Sequence, residues 1–454
     1  MSAGNGPPRL ARLVLLLLLP GLLSAAALAF DGAPSGQRSS ARWDGVAVPA
    51  AVPSPPSVRT SPSEPVADRQ KPRFRRIKGV TTAKAYPRFN ETFRAWRQRV
   101  PGIRDVRIRS TRDGHRQPAL WLPARRDGRP LLVVLHSWSV NYLQRLGVPF
   151  ALWAGRHDWS MIAPDFRGPN NKATATGSDL AVRDVVDAIG WARERAAIDE
   201  SRVFVIGFSG GGMMSLLLAG RHPELLAGAV AWVPVHDLVK WYGYTSQKRP
   251  QPRYPGHIRA SCGGDPSADS GARERCTYRS PRTHLHAARD ADLPVYIGHG
   301  LGDQDVRPDH AVRAFNQLAA PGDRIPPSAV AAIRRNVLPP ALRRSIEART
   351  YFGKNDPRVL FARKSGAATV VLFEGEHDMV YHPGLRWMWE VASPLHLTRE
   401  TPVGAGMTFT PGHPSDRLPA HFRGPGPAPA DAVPSPAGQG AHPRWQPISS
   451  TTAT

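Results

Sequence analysis

Cysteine is nearly absent: Cys262 and Cys276 are the only two in 454 residues. Two thiols without neighbouring ligands in a suitable pattern fall short of the four donors of a structural zinc site, so no metal is expected. Lysine is scarce as well. Of the 60 cationic residues eight are Lys and 52 are Arg. No zinc-finger spacing or RNA-binding signature accompanies the formal net charge of +24, which argues against nucleic acid as a partner. Long apolar runs are missing beyond the first thirty residues, so no internal membrane span is expected. No fixed-period repeat is visible, which argues against solenoids and propellers.

The N-terminus carries a compartment signal. Arg9 and Arg12 precede the apolar run Leu13–Leu19, which continues past Pro20-Gly21 to Ala29. Ala27-Leu28-Ala29 offers the small-x-small pattern of a cleavage site. Residues 1–29 therefore read as a signal peptide cut before Phe30, giving a secreted, periplasmic or extracellular chain. An uncleaved membrane anchor is the alternative, because the run is long enough to span a thin bilayer. In an exported protein two cysteines this close are expected to form a disulfide, Cys262 with Cys276.

Proline (47) and glycine (41) are abundant but uneven. Residues 31–72 and 400–454 are rich in both and have no apolar periodicity. Neither stretch could bury enough surface to offset the entropy of ordering it. The division expected is a signal at 1–29, a Pro/Ser-rich and basic linker at 30–89, a catalytic domain at 90–398 and a disordered tail at 399–454. Residues 71–112 hold 14 cationic residues against Glu91 and Asp105. Such a segment suits an anionic surface or polysaccharide, or is simply a solvated Arg-biased face. Nothing in the sequence indicates an oligomeric state.

From residue 103 onward short apolar runs alternate with amphipathic stretches. Ile103–Arg109 and Ala119–Leu122 predict an opening hairpin around Asp113-Gly114. LLVVL (131–135), WSMIAP (159–164), RVFVI (202–206), GAVAWV (228–233), PVYI (294–297) and ATVVLF (368–373) read as buried strands. Asp179–Ala197, with Ser178 as N-cap, Met213–Leu218 and Asp309–Leu318 read as helices. The alternation predicts an α/β fold with a mostly parallel, doubly wound sheet and helices on both faces. Residues 319–365 predict a Pro-interrupted helical insertion.

RVFVI runs directly into Gly207-Phe208-Ser209-Gly210-Gly211-Gly212 and then MMSLLLAG, which fits G-x-S-x-G between strand and helix. A serine there sits on a tight, strained turn at a helix N-terminus, where free N–H groups face a developing oxyanion. A serine hydroxyl needs a base, and the base needs an acid. Both are expected at later strand ends: Asp303 after PVYI and His377 after ATVVLF, with Asp305 as the alternative acid in the same loop. The second oxyanion donor, besides Gly210, is expected from Ser137 or Trp138, just after LLVVL.

Taken together LLVVLHSWS, APDFRGPN, VFVIGFSGGGMMSLLLA, IGHGLGDQDV and VVLFEGEH resemble a secreted α/β-hydrolase of the prolyl oligopeptidase and dienelactone-hydrolase-like branch of serine hydrolases. The resemblance implies a Ser-Asp-His hydrolase fold, carried onto Ser209, Asp303 and His377, that needs no metal or organic cofactor. Prolyl oligopeptidases proper carry a long propeller domain ahead of the catalytic one. Only a short, mostly low-complexity stretch precedes the hydrolase region here. The expected activity is therefore ester cleavage through an acyl-enzyme. A peptidase acting on short peptides is the second reading, and a non-catalytic surface-binding protein using the Arg-rich segment the third.

Overall fold

The computed structural model describes residues 73–393 apart from 87–88, 248–252 and 344. The expected signal, all but the end of the linker, and the tail lie outside the described residues. A compact unit begins at Pro72, and every described residue belongs to it. Among the described residues no helix is long and apolar enough to cross a membrane.

Among the described residues nine strands form one sheet: β1 (Arg104–Arg109), β2 (Arg116–Leu122), β3 (Arg129–Leu135), β4 (Ser160–Pro164), β5 (Ile198–Phe208), β6 (Gly228–Trp232), β7 (Val295–Gly300), β8 (Val359–Ser365) and β9 (Ala368–Phe373). Their order across the sheet is β1-β2-β4-β3-β5-β6-β7-β9-β8. The run β4-β3-β5-β6-β7-β9 is parallel throughout. The three remaining pairs, β1 with β2, β2 with β4 and β8 with β9, are antiparallel.

The apolar runs become strands because both sheet faces are covered. Side chains on a strand alternate between faces, so LLVVL feeds two cores. Leu131, Val133 and Leu135 join Val205, Ala231, Ile297 and Val370 on one side. Leu132 and Val134 join Phe204, Ile206, Val230, Tyr296 and Val371 on the other. The helix Asp179–Arg195 starts as expected, with Ser178 Oγ accepting from the Ala181 N–H at 3.1 Å. It returns the chain from β4 to β5, on the opposite side of β3. The winding direction reverses at β3 and β5, and a doubly wound sheet opens its ligand crevice at the carboxyl ends of such a pair.

Two boundaries are refined. The expected Pro-interrupted insertion at 319–365 is helical at Pro327–Arg334 and in the 3-10 turns Pro321–Asp323 and Pro340–Leu342, kept short because paired prolines at 326–327 and 339–340 deny the amide hydrogens a longer helix needs. The last seven residues are β8, which satisfies the outer edge of β9. The basic linker also ends earlier than residue 89. Ile77, Val80 and Ala83 are buried, and the Ile77 N–H donates to His382 Nε2 at 3.0 Å.

Cys262 and Cys276 are bonded to each other, across a sequence separation of 14. Both are fully buried. The bond joins the end of helix Arg253–Cys262 to helix Ser270–Tyr278. Closing a loop of this length is worth roughly 3 kcal/mol on a chain-entropy account. Reductant should therefore lower the melting temperature by several degrees, and Cys276→Ser should do the same without reductant. Equal melting curves with and without reductant, read by calorimetry, would contradict this.

Candidate active site

Ser209 stands between β5 and the helix Gly210–Arg221, with φ 57° and ψ −114°. This is left-handed backbone on a residue with a Cβ, a strained conformation that persists only where its surroundings enforce it. The enforcement is glycine. A Cβ on Gly207 would lie 2.1 Å from the Gly211 carbonyl oxygen, and one on Gly211 would lie 2.3 Å from the Leu135 carbonyl oxygen. Strand, turn and helix meet backbone to backbone, and the Ser209 N–H donates to the Trp232 carbonyl at 2.9 Å.

The expected acid and base converge on this serine. Ser209 Oγ lies 3.0 Å from His377 Nε2, and His377 Nδ1 lies 2.7 Å from Asp303 Oδ2. An ionised carboxylate only accepts, so Nδ1 carries the proton and Nε2 offers its lone pair to the hydroxyl. Asp303 is fully buried. Burial alone would raise its pKa, but His377 and the hydrogen bonds from His299 and His377 outweigh it and hold the carboxyl well below the usual range.

The two loop aspartates are told apart by their atoms. Asp303 Oδ1 accepts the backbone N–H groups of Asp305 at 2.8 Å and Val306 at 3.0 Å. Asp305 thus contributes its amide to the acid, and the structure brings Asp303 rather than Asp305 to His377. The two oxyanion candidates separate likewise. The Ser137 N–H is already given to Gln144 Oε1 at 2.7 Å, which removes it as a donor. The Trp138 N–H makes no bond to any described residue. A Cβ on Gly210 would sit 2.8 Å from Trp138 N, so these two backbones lie side by side. Gly210 opens its helix, where no preceding turn takes the N–H.

Gln144, Asn336 and Trp241 support the site without a signal in the sequence, whereas His136, Phe166 and Asn170 lie in the motifs HSWS and APDFRGPN. Gln144 holds the loop after β3 twice, through the Ser137 N–H and through Nε2 to Ser137 Oγ at 3.1 Å. His136 is stacked on Phe166 at 3.9 Å, and its Nε2 lies 2.7 Å from the Asp165 carbonyl oxygen. The Asn170 N–H donates to the Trp138 carbonyl at 2.8 Å. Asn336, inside the insertion, donates Nδ2 to the carbonyls of Leu301 at 2.6 Å and Asp303 at 3.0 Å. The Trp241 indole donates to the Asp305 carbonyl at 2.8 Å. The expected linker segment also clamps the His377 loop. The Ala83 N–H donates to the Met379 carbonyl and the Lys84 N–H to Asp378 Oδ1, both at 2.9 Å. Its one hint in the sequence was the spacing of Ile77, Val80 and Ala83.

Beside the triad a cavity of about 260 Å³ is lined by Lys84, Gln304, Asp305, Glu376, His377 and Asp378. Trp138 forms part of an aromatic wall near the serine. Its ring meets Trp241 edge-on at 4.7 Å, and its indole donates to His257 Nδ1 at 3.2 Å. Among the described residues no three His, Cys, Asp or Glu side chains are placed to hold a metal ion.

Gly207→Ala and Gly211→Ala should each cost about 3 kcal/mol or more, because the new methyl meets backbone that cannot yield. Denaturant unfolding checks this. Wild-type stability in either variant would mean that the turn is looser than these distances require.

The prolyl oligopeptidase family model matches residues 171–327, a span that includes Ser209 and Asp303. A putative esterase, NocK, of Nocardia uniformis subsp. tsuyamanensis is 34% identical over 122 residues, 24% of this chain and 34% of the relative. Feruloyl esterase B of Thermothelomyces thermophilus is 29% identical over 126 residues, 25% of this chain and 43% of the relative. The chain thus spans well under half the length of these curated relatives. Among solved structures, Pyrococcus horikoshii acylaminoacyl peptidase superposes with a TM-score of 0.40 at 14% identity, covering 49% of this chain and 36% of that one. With its doubly wound sheet, its strained serine turn and its matching segment, the chain is an α/β-hydrolase-fold protein that resembles the prolyl oligopeptidase family of serine hydrolases.

Proposed function

We propose that the protein is an exported serine hydrolase that cleaves carboxylic esters through an acyl-enzyme. One observation carries this: the unbroken hydrogen-bonded chain Ser209–His377–Asp303 at the carboxyl ends of β5, β9 and β7. In this reading Ser209 Oγ attacks the acyl carbon as His377 Nε2 takes its proton. Asp303 fixes the imidazole and stabilises its charged form. The amides of Gly210 and Trp138 hold the oxyanion. His377 then protonates the leaving alcohol, and water repeats the sequence to release the acid. Ester preference is supported by the esterase names of the curated relatives. A peptidase using the same three residues is the second reading, favoured by the family match. Export is supported by the bonded cysteine pair, since such bonds persist in oxidising compartments.

Fluorophosphonate should label the full chain, and Ser209→Ala should abolish the labelling. No labelling in the wild type would leave a surface-binding protein as the better account, and labelling that persists in Ser209→Ala would move the nucleophile elsewhere. Turnover of p-nitrophenyl acetate and butyrate should exceed that of proline and alanine peptide amides. Silence on the esters with turnover of the amides reverses the ranking. Asp303→Asn should lower kcat by about 10³–10⁴, whereas Asp305→Asn should cost far less, because it leaves in place the backbone N–H that residue 305 gives to Asp303 Oδ1. Steady-state kinetics of both variants decide between the two aspartates.

A further inference from the structure

A second imidazole stands behind the acid. His299 is the fifth residue of β7 and is fully buried. Its Nε2 lies 3.1 Å from Asp303 Oδ2 and 2.9 Å from the Val306 carbonyl oxygen. Both partners are acceptors, so Nε2 carries a proton and divides it between them. Its Nδ1 is buried and has no hydrogen-bond partner among the described residues. The ring is a donor aimed at the oxygen that also receives His377. Asp303 therefore accepts four hydrogen bonds: two from imidazoles on Oδ2 and two from backbone amides on Oδ1. Those four occupy the lone-pair sites a carboxylate has.

Every donor on the carboxylate spreads its negative charge and weakens its pull on any other cation. We propose that His299 is a positioning residue that, by sharing Asp303 Oδ2 with His377, lowers the pH at which His377 becomes the free base. The proposal rests on the hydrolase reading above. An anchoring role alone would need only the bond to the Val306 carbonyl. The second bond reaches the same oxygen as His377, and a role in basicity follows from it.

The charged surroundings isolate this effect. Behind His299 the nearby titratable ring is His310, itself buried and kept neutral at physiological pH by burial, which pushes it down to about 4. The carboxylates beside His310 are engaged, Asp309 with Arg313 at 2.9 Å and Asp237 with Arg282 at 3.1 Å. On the other side of His377, Lys84, Asp305, Glu376 and Asp378 line the open cavity. Lys84 Nζ pairs with Glu376 at 3.3 Å, in solvent. Lys84 and Glu376 face water, which screens them, whereas Asp378 is buried and its Oδ1 accepts the Lys84 and Met379 N–H groups. The contact between His299 and Asp303 is dry.

The test is the pH profile of kcat/KM with p-nitrophenyl acetate on the full chain. His299→Met keeps the volume and removes the donor, whereas His299→Gln keeps an N–H at a similar reach. The acid limb of His299→Met should move to higher pH by about half a unit to one unit, and His299→Gln should return it towards the wild-type position. An active His299→Met enzyme whose limb has not moved overturns the proposal. Should that variant fail to fold, nitrogen NMR of the wild-type chain labelled with ¹⁵N-histidine decides. One ring must hold a single, slowly exchanging Nε2 proton throughout the pH range of the limb, and must lose that signal in His299→Gln. A ring protonated on both nitrogens, or on Nδ1, overturns the proposal. A chain that Ser209→Ala fails to silence sinks the hydrolase reading instead, so the two failures are distinguishable.

Discussion

The close approach of three backbones around Ser209 is the constraint on which the site depends. Gly207 touches Gly211, Gly211 touches Leu135, Gly210 lies against Trp138, and a Cβ on Gly212 would lie 2.7 Å from the Trp232 carbonyl oxygen. These contacts lock β5, β3 and β6 to one helix end within the reach of a single turn. Because the glycines leave no space, the serine has no relaxed conformation to fall into, and its hydroxyl stays above the sheet. The loop after β3 is thereby brought beside the helix N-terminus, and one amide from each can face the same oxyanion. Strain at one residue is thus held by packing at four others.

Much of this was legible in the sequence, because it is written in local pattern. Buried strands sandwiched between helices must be apolar on both faces, so LLVVL, GAVAWV and ATVVLF announce themselves. A serine flanked by glycines at a strand end admits few geometries. The acid was narrowed to Asp303 and Asp305 by position alone. The choice between them needed the loop conformation, in which the Asp305 amide folds back onto Asp303 Oδ1. Gln144 was illegible for a related reason. Its role depends on a turn of seven residues returning its amide to Ser137, and no spacing rule encodes that. Within 319–365 the helix and its flanking 3-10 turns followed the pattern, while Val359–Ser365 becomes a strand because β9 presents an edge to be paired. Asn336, which grips the acid loop, could be found only after that insertion was placed.

Charge shows the same division. The sequence suggests a basic surface, and part of the arginine is structural. Arg167 is buried and ties Asp184 at 2.7 Å and Asp113 at 2.7 Å across the turn after β4. Asp158 accepts both Arg125 and Arg126. Within the basic stretch 71–112, Arg99 pairs with Glu91 at 3.3 Å, and Arg76 and Arg107 pair with Asp356 and Asp105. A planar guanidinium satisfies two acceptors at once, which a lysine ammonium does less well. The bias towards Arg over Lys fits this bracing use as well as it fits an anionic partner.

The flank of the sheet closed by β1 has a consequence for how copies of this chain meet. An outermost strand offers a row of unused amide and carbonyl groups, an invitation to another sheet. Here that strand carries Arg104, Arg107 and Arg109, all exposed, within six residues. A neighbouring molecule aligning the same strand antiparallel would set guanidinium against guanidinium along the seam. Growth of the sheet from molecule to molecule is discouraged at the place where the backbone would permit it.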